Sequence, residues 1–337
     1  MRRMLVGVAL LALAAGCSSS IEQPSAGTAG QPEEEALLGP DTPLGDGLAV
    51  VAGTNLVGTV WPSLSGTYGG ESATESWEAV LELTGDPVEV HNAYVEQLRD
   101  AGFSIVRGRH ACGVTYVSSD RSFYAPPGGA EPEGADPSDV GCSVEGAIVE
   151  DGSTVAIARV VTRRTAADHP FGVYVSHVSV EVERWAPGVR RGSPQARPFD
   201  PVPPLAGSQV ELAQEPTPPP TPGPGDLIES DGVEGEPLEV VEGSRVLTPV
   251  ATEWCGTTGY DALVAIDGPD AQAVVGDYRR QIEAWGYEQL TSEPVRFRGR
   301  AAVLTRHGAS GAGTVDLVVV DGDQHEPAYL RITRCRD

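Results

Sequence analysis

The chain of 337 residues contains no lysine, so arginine supplies all 23 of its permanently basic side chains. Without a lysine ammonium group, Schiff-base catalysis, lysine-bound pyridoxal phosphate and a P-loop nucleotide site are excluded. Acidic residues outnumber basic ones, since the chain has 48 of them and a formal net charge of −25. Phosphate contacts need clustered cations, so a chain this acidic makes a poor nucleic-acid binder. The composition therefore predicts no nucleic-acid partner.

Long hydrophobic runs are also scarce, and the clearest one extends from Leu5 to Ala15. It follows a basic N-terminus and is too short to span a bilayer, which is typical of a signal peptide. Small residues then lead to Cys17, which is followed by three serines. This segment resembles the lipobox of bacterial lipoproteins, although Ala14 stands where that signal usually has leucine.

The resemblance covers residues 1–20 and implies location alone. In that class of lipoproteins the chain is cleaved before the cysteine, which is then acylated, commonly with palmitate. Lipidation is therefore expected at Cys17, with the mature protein anchored to the cell membrane on its extracytoplasmic side. The alternative is an ordinary secretory signal that a cysteine follows by chance.

Only five cysteines are present, and four remain beyond Cys17. An even set in an exported chain, with no C-x-x-C spacing, favours disulfides over a metal site. Three pairings are possible. We predict Cys112–Cys142 and Cys255–Cys335, because each bridge then stays within one half of the chain. No metal site is predicted.

One pattern of residues occurs twice, from Ser76 to Arg109 and from Gly259 to Arg300. Each copy reads as a strand, a turn, an amphipathic helix that ends at glycine, and further strands. A match in order and residue type over this length indicates a duplicated module.

The predicted fold class is α+β, with two related small domains that each pack one helix on a mainly antiparallel sheet. In the strand around Val180, valines alternate with Ser179, Glu181 and Glu183, which predicts one face in solvent. The predicted boundaries are 1–16 for the lipoprotein signal peptide, 17–56 for a flexible tether, 57–187 for the first module with a loop insertion near 118–141, 188–244 for a Pro-rich linker and 245–337 for the second module.

Arg-Gly-Arg ends both copies, which makes Arg107, Arg109, Arg298 and Arg300 candidate ligand-binding residues, with Arg296 beside the second pair. Two arginines one residue apart on a strand project to the same face and can hold a carboxylate or phosphate. The alternative is a solvated hairpin turn with glycine at the bend.

Other candidate sites have simpler structural explanations. His91 lies on the apolar stripe of the first helix, where the second helix has Val275, so core packing is favoured over ligation. The loop from Asp321 to Glu326 collects oxygen and imidazole ligands, but Asp-Gly between apolar runs is first a hairpin signal. No catalytic residue and no cofactor is predicted.

The function predicted from these observations is that of a lipid-anchored cell-envelope protein. Its tandem modules would serve non-catalytic binding or scaffolding at the extracytoplasmic face. The predicted partners are the membrane, through acylated Cys17, and an anionic cell-wall or protein surface. One alternative is an extracytoplasmic hydrolase that uses a pair of carboxylates. Another is a structural lipoprotein without a specific ligand.

Overall fold

The computed structural model describes residues 38–63, 73–118, 121–165, 176–189, 194–196, 198–213, 222–228, 238–252, 259–268, 270–309, 313–322 and 327–335. Side chains are described at these positions except 107–110, 213, 248–252, 259–261 and 335. The predicted lipidation site Cys17 lies outside the described residues.

The described chain is mostly antiparallel sheet. Its strands are β1 (Pro43–Gly45), β2 (Leu48–Ala49), β3 (Thr54–Leu56), β4 (Trp61–Pro62), β5 (Glu75–Leu83), β6 (Ser104–Val117), β7 (Ser122–Ala125), β8 (Asp136–Glu150), β9 (Ser153–Thr165), β10 (Ser176–Arg184), β11 (Leu227–Ile228), β12 (Leu238–Glu239), β13 (Ser244–Thr252), β14 (Gly259–Ile266), β15 (Glu288–Phe297), β16 (Arg300–Ala309), β17 (Gly313–Val320) and β18 (Ala328–Cys335). The helices are α1 (Pro87–Asp100), α2 (Gln209–Ala213) and α3 (Ala271–Ala284).

The first large sheet has eight strands in the order β3-β5-β10-β9-β8-β6-β7, and β4 also pairs with β5. Helix α1 begins at Pro87, and the Asp86 side chain accepts from the amides of Val88 and Glu89, as an Asp-Pro pair before an apolar stripe predicts. Its buried face packs Tyr94 and Leu98 into the apolar core of this sheet.

The second large sheet has six strands in the order β13-β14-β18-β17-β16-β15. Helix α3 buries Val274, Val275, Tyr278 and Ile282 against it, as the spacing of these residues predicts. The order β5-β10-β9-β8-β6 in the first sheet matches β14-β18-β17-β16-β15 in the second, and a helix follows the first strand of each series.

The predicted fold class, two small α+β domains, is wrong. Leu37–Asp337 forms one compact unit, and its described residues build two large sheets and two two-stranded sheets. The two large sheets belong to one unit because both faces of β14 are buried. Val264 packs in the cluster that contains α3, while Leu263 packs in a cluster that includes Val80 of the first sheet. Alternation shows that a strand has two faces. It does not show whether the second face meets water or another sheet.

The predicted tether and linker are also partly folded. Strands β1 to β3 lie within the predicted tether, where Leu44 and Leu48 are buried in the first core. In the predicted linker, Leu205 and Leu212 pack with Tyr116, and the backbone of Val202 exchanges two hydrogen bonds with the side chain of Asn92. These segments carry apolar residues at intervals, and those residues are buried against the sheets that the rest of the chain forms.

Replacing Asp86 by alanine removes the cap of α1. We expect the free energy of unfolding to fall by about 1 kcal/mol, because two amides of the first turn lose their acceptor. Urea unfolding followed by tryptophan fluorescence measures this change. Asp86→Asn serves as the control, since asparagine also caps helices well, and a loss as large as that of alanine would contradict the capping role.

Candidate functional site

A row of charged residues crosses four strands of the first sheet. Register places Glu145 opposite Arg159, Arg159 opposite Glu181, and Glu181 opposite Glu78. These four residues are here called the ionic row. They lie on the face that points away from α1, because Val180 and the other valines of β10 occupy the alternate positions and pack in the core.

The face of β10 that carries the ionic row was predicted to be in solvent, and that prediction is wrong. Ser179 and Glu181 are 3% exposed and Glu183 is 0% exposed. Polar residues on a strand usually indicate a wet face. Here the charges are covered and meet opposite charges on neighbouring strands.

Arg159 is the centre of the ionic row. Its guanidinium lies 3.2 Å from Glu145 Oε2, 3.2 Å from Glu181 Oε2 and 3.6 Å from Glu183 Oε2. Burial acts to lower the pKa of Arg159, but the surrounding carboxylates, Glu181 foremost, outweigh it and raise the pKa. The arginine is therefore held charged between strands β8 and β10.

The ionic row extends to the second sheet through Arg331 of β18. Arg331 binds Glu78 in a bidentate manner, with Nη1 to Oε2 at 2.6 Å and Nη2 to Oε1 at 3.2 Å. The Ser179 hydroxyl also donates to Glu78 Oε1, at 3.1 Å. Both partners are largely buried, with side chains 9% and 11% exposed. A bidentate pair of this kind fixes the position of one sheet on the other.

His177 lies on the same face, opposite Glu82 on one side and Arg163 on the other. The pKa of His177 is lowered to about 4, chiefly by burial and also by Arg163 and Arg331, while Glu78 opposes the shift. The imidazole is therefore neutral near neutral pH. Arg163 itself is held by Asp139, with Nε to Oδ1 at 3.0 Å.

The charges of the ionic row have a structural role, since they pair with one another across neighbouring strands and with the second sheet. Each carboxylate of the ionic row lies against an arginine and is at most 17% exposed. A carboxylate hydrolase needs a pair of carboxyl groups that a substrate can reach. The geometry of the ionic row gives that alternative no support.

The second Arg-Gly-Arg segment forms the turn between β15 and β16. Arg298 and Gly299 both have positive φ, +50° and +81°, as the two central residues of a tight hairpin often do. Phe297 pairs with Arg300 while Arg296 pairs with Ala301, so Arg296 and Arg300 lie on opposite faces of the hairpin. The expected single arginine face on a strand is not formed.

These arginines contact the protein itself. Arg298 donates to the carbonyl of Leu44, and its guanidinium lies 5.2 Å from the ring centroids of Trp77 and of Phe297. Burial lowers the pKa of Arg298, and Asp46 opposes this shift. Arg300 donates to the carbonyl of Asp321 at 2.7 Å.

The other three arginines predicted to bind a ligand are Arg296, Arg107 and Arg109. Arg296 is exposed, with a 3.4 Å contact to the carbonyl of Gly299. The side chains of Arg107 and Arg109 lie outside the described residues. Ligand binding by these five arginines stays a prediction.

Sequence reasoning missed Asp46, because it lies in the predicted tether. Asp46 is at the tip of the hairpin β1–β2, where it accepts from Trp77 Nε1 at 2.6 Å and from Arg184 Nε at 2.5 Å. Arg298 binds the neighbouring Leu44, so this hairpin contacts both large sheets. The alternation of Leu44, Leu48 and Val50 around Asp46-Gly47 is the signal that predicts such a hairpin.

The predicted disulfide between Cys112 and Cys142 is confirmed. The two residues are directly opposite each other on β6 and β8. Cys255 and the side chain of Cys335 lie outside the described residues, so their pairing stays a prediction. His91 is 0% exposed on the sheet-facing side of α1. In the Asp321 loop, residues 323–326 lie outside the described residues.

No protein-family model matches the chain, and no curated protein sequence matches it. Among solved structures, the tesB protein of Mycobacterium avium subs paratuberculosis is 11% identical, with a TM-score of 0.15 over 77% of this chain and 91% of that chain. The acyl-CoA thioesterase II TesB2 of Mycobacterium marinum is 9% identical, with a TM-score of 0.14 over the same shares. Scores this low carry no argument about fold or function.

Within the described ranges, no helix has the length and hydrophobicity needed to cross a membrane.

Proposed function

We propose that the mature protein is a lipid-anchored envelope protein that binds an extended acidic protein segment and performs no chemistry on it. The anchor is acylated Cys17, supported by the lipobox resemblance. A duplication of one module is part of this proposal, and the matching strand order of the two large sheets supports it.

The observation that carries the proposal is the open edge of the second sheet. Strand β15 is the last strand of that sheet, and among the described residues it pairs with β16 alone. Residues 288–294 of β15 are exposed, including Leu290 at 59%. An edge of this kind offers backbone amides and carbonyls on which another chain can add a strand.

The charge at the end of β15 favours an acidic partner. Arg296 and Arg298 keep exposed surface at the hairpin end, on a chain whose net charge is −25. Distant acidic residues repel such a partner, but salt at about 0.15 M screens charges beyond about 8 Å and leaves close contacts less affected. Glu288 and Glu293 of β15 repel it at close range, so the attraction is confined to the hairpin end. Local arginines therefore select the partner at short range. A protein segment is preferred over a cell-wall polymer because an extended polypeptide can pair with the backbone groups of the edge as an added strand.

Photo-crosslinking in intact cells tests this proposal. A photoreactive amino acid at Gln289 or Glu293, both exposed on β15, is expected to give a discrete protein adduct. The same residue at Gln272, exposed on α3, serves as the matched control and is expected to give none. Adducts that form equally from α3, or a ladder that muramidase digestion collapses, would contradict strand addition by a protein.

Charge reversal tests the role of arginine. We expect Arg296→Glu to reduce the β15 adduct at least about fivefold, because it places a carboxylate opposite an acidic segment, and close like charges cost free energy. Arg280→Glu on α3 changes the net charge by the same amount, and its position is also exposed. If both variants lost the adduct equally, net charge would explain the effect and the local role of Arg296 would be wrong.

A further inference from the structure

Three side chains that commonly bind metals meet in the core beneath α1. One ligand atom from each of His91, Cys112 and Cys142 lies within 4.8 Å of the other two. The two cysteines form a disulfide between β6 and β8, and the histidine reaches them from the helix. All three positions lie in described segments.

Of these three residues, His91 gives the main argument for a ligand-binding role. A disulfide needs no imidazole beside it, and the His91 side chain is fully buried, at 0% exposure. At the matching position of the second helix the chain has Val275, which packs in an apolar core. Packing alone therefore does not require a histidine at position 91.

We propose that reduction of the Cys112–Cys142 disulfide converts this trio into a binding site for a thiophilic divalent cation such as Zn²⁺. Two thiolates and one imidazole are ligands that zinc prefers, and three protein ligands leave a fourth position for water or another donor. In the oxidised protein the sulfur atoms are bonded to each other and the site is closed.

The opening reaction takes two electrons and two protons from a dithiol reductant. One thiolate of the reductant attacks the sulfur of Cys112, which is half-buried, while Cys142 is 2% exposed. Cys142 leaves as a thiolate and takes up a proton. The second thiol of the reductant then displaces Cys112 and leaves the reductant as a disulfide. Metal binding releases the two thiol protons, and His91 contributes a lone pair as neutral imidazole.

Cobalt(II) binding to the full mature chain carrying Cys17→Ser tests this site. After anaerobic reduction we expect one more equivalent of Co²⁺ to bind than in the Cys112→Ser, Cys142→Ser double variant, which also accounts for ions bound through Cys255 and Cys335. This equivalent should show thiolate-to-cobalt charge-transfer absorption. The oxidised protein should lack that absorption.

The His91→Val variant distinguishes a metal site that includes His91 from metal binding by the two free thiols alone. Valine is the residue that the second helix carries, and we expect it to weaken the extra Co²⁺ equivalent at least about tenfold. His177→Gln, a histidine change on the other face of the first sheet, should leave the affinity unchanged. Equal affinity in His91→Val and the wild type would overturn the proposal. This also holds if the reduced chain unfolds, because the thiols of an unfolded chain bind Co²⁺ with or without His91. No extra equivalent in the reduced wild type would also overturn it.

Discussion

Replacing Arg331 by methionine is expected to lower the free energy of unfolding by about 3 to 5 kcal/mol. The change leaves the Glu78 carboxylate buried without its bidentate partner, whose guanidinium lies 2.6 Å away in the native protein. An unpaired buried charge costs more than the lost contact itself, because its desolvation is no longer offset. Urea unfolding monitored by tryptophan fluorescence measures the loss, since Trp61 and Trp77 are both buried in the first core.

Two further variants show whether burial causes this effect. Glu78→Leu together with Arg331→Met should recover most of the stability, because both charges are then absent. Arg280→Ala removes the Arg280–Asp277 pair on α3, whose side chains are 71% and 39% exposed, and should cost less than about 1 kcal/mol. If Arg331→Met cost no more than Arg280→Ala, the Glu78–Arg331 pair would not hold the sheets together.

The second large effect is a loss of stability in acid that depends on His177. Its pKa is about 4 in the folded protein against 6.5 for a solvent-exposed histidine, so below pH 6.5 the unfolded chain binds a proton that the folded chain does not. Stability from this group is unchanged above pH 6.5 and falls as the pH drops toward 4. The expected loss is about 2 kcal/mol by about pH 5 and about 3 kcal/mol below pH 4.

The difference between two pH profiles isolates this histidine from the many carboxylates that titrate in the same range. The free energy of unfolding is measured from pH 7.5 to pH 4 for the wild type and for His177→Gln, which cannot be protonated. We expect the two curves to diverge below pH 6.5, with the wild type losing more stability. Parallel curves would show that folding does not lower the pKa of His177.

The local structure around both helices could be predicted from the sequence. Asp86 followed by Pro87 marks the start of α1, and the stripe from Val274 to Ile282 identifies the buried face of α3. The Cys112–Cys142 bridge could also be predicted, because both cysteines belong to the same half of the chain. The helices depend on neighbours within one short stretch, and the bridge joins residues only 30 positions apart.

The union of the two sheets could not be predicted, because it depends on contacts between distant residues. Glu78 and Arg331 are 253 positions apart, and each is an ordinary polar residue on an alternating strand. Periodicity distinguishes the two faces of a strand without saying what covers either one. The same limit applies to Arg298, whose sequence context predicts a turn but not its contact with Trp77.

The most direct test of the central claim, a lipid-anchored envelope protein, is the intact mass of the chain recovered from the membranes of a bacterial host that processes lipoproteins. We predict a protein that begins at Cys17 and carries the added mass of acyl chains, together with loss of membrane association in Cys17→Ala. A mature chain that begins at another residue, or one that begins at Cys17 without acyl mass, would contradict the account.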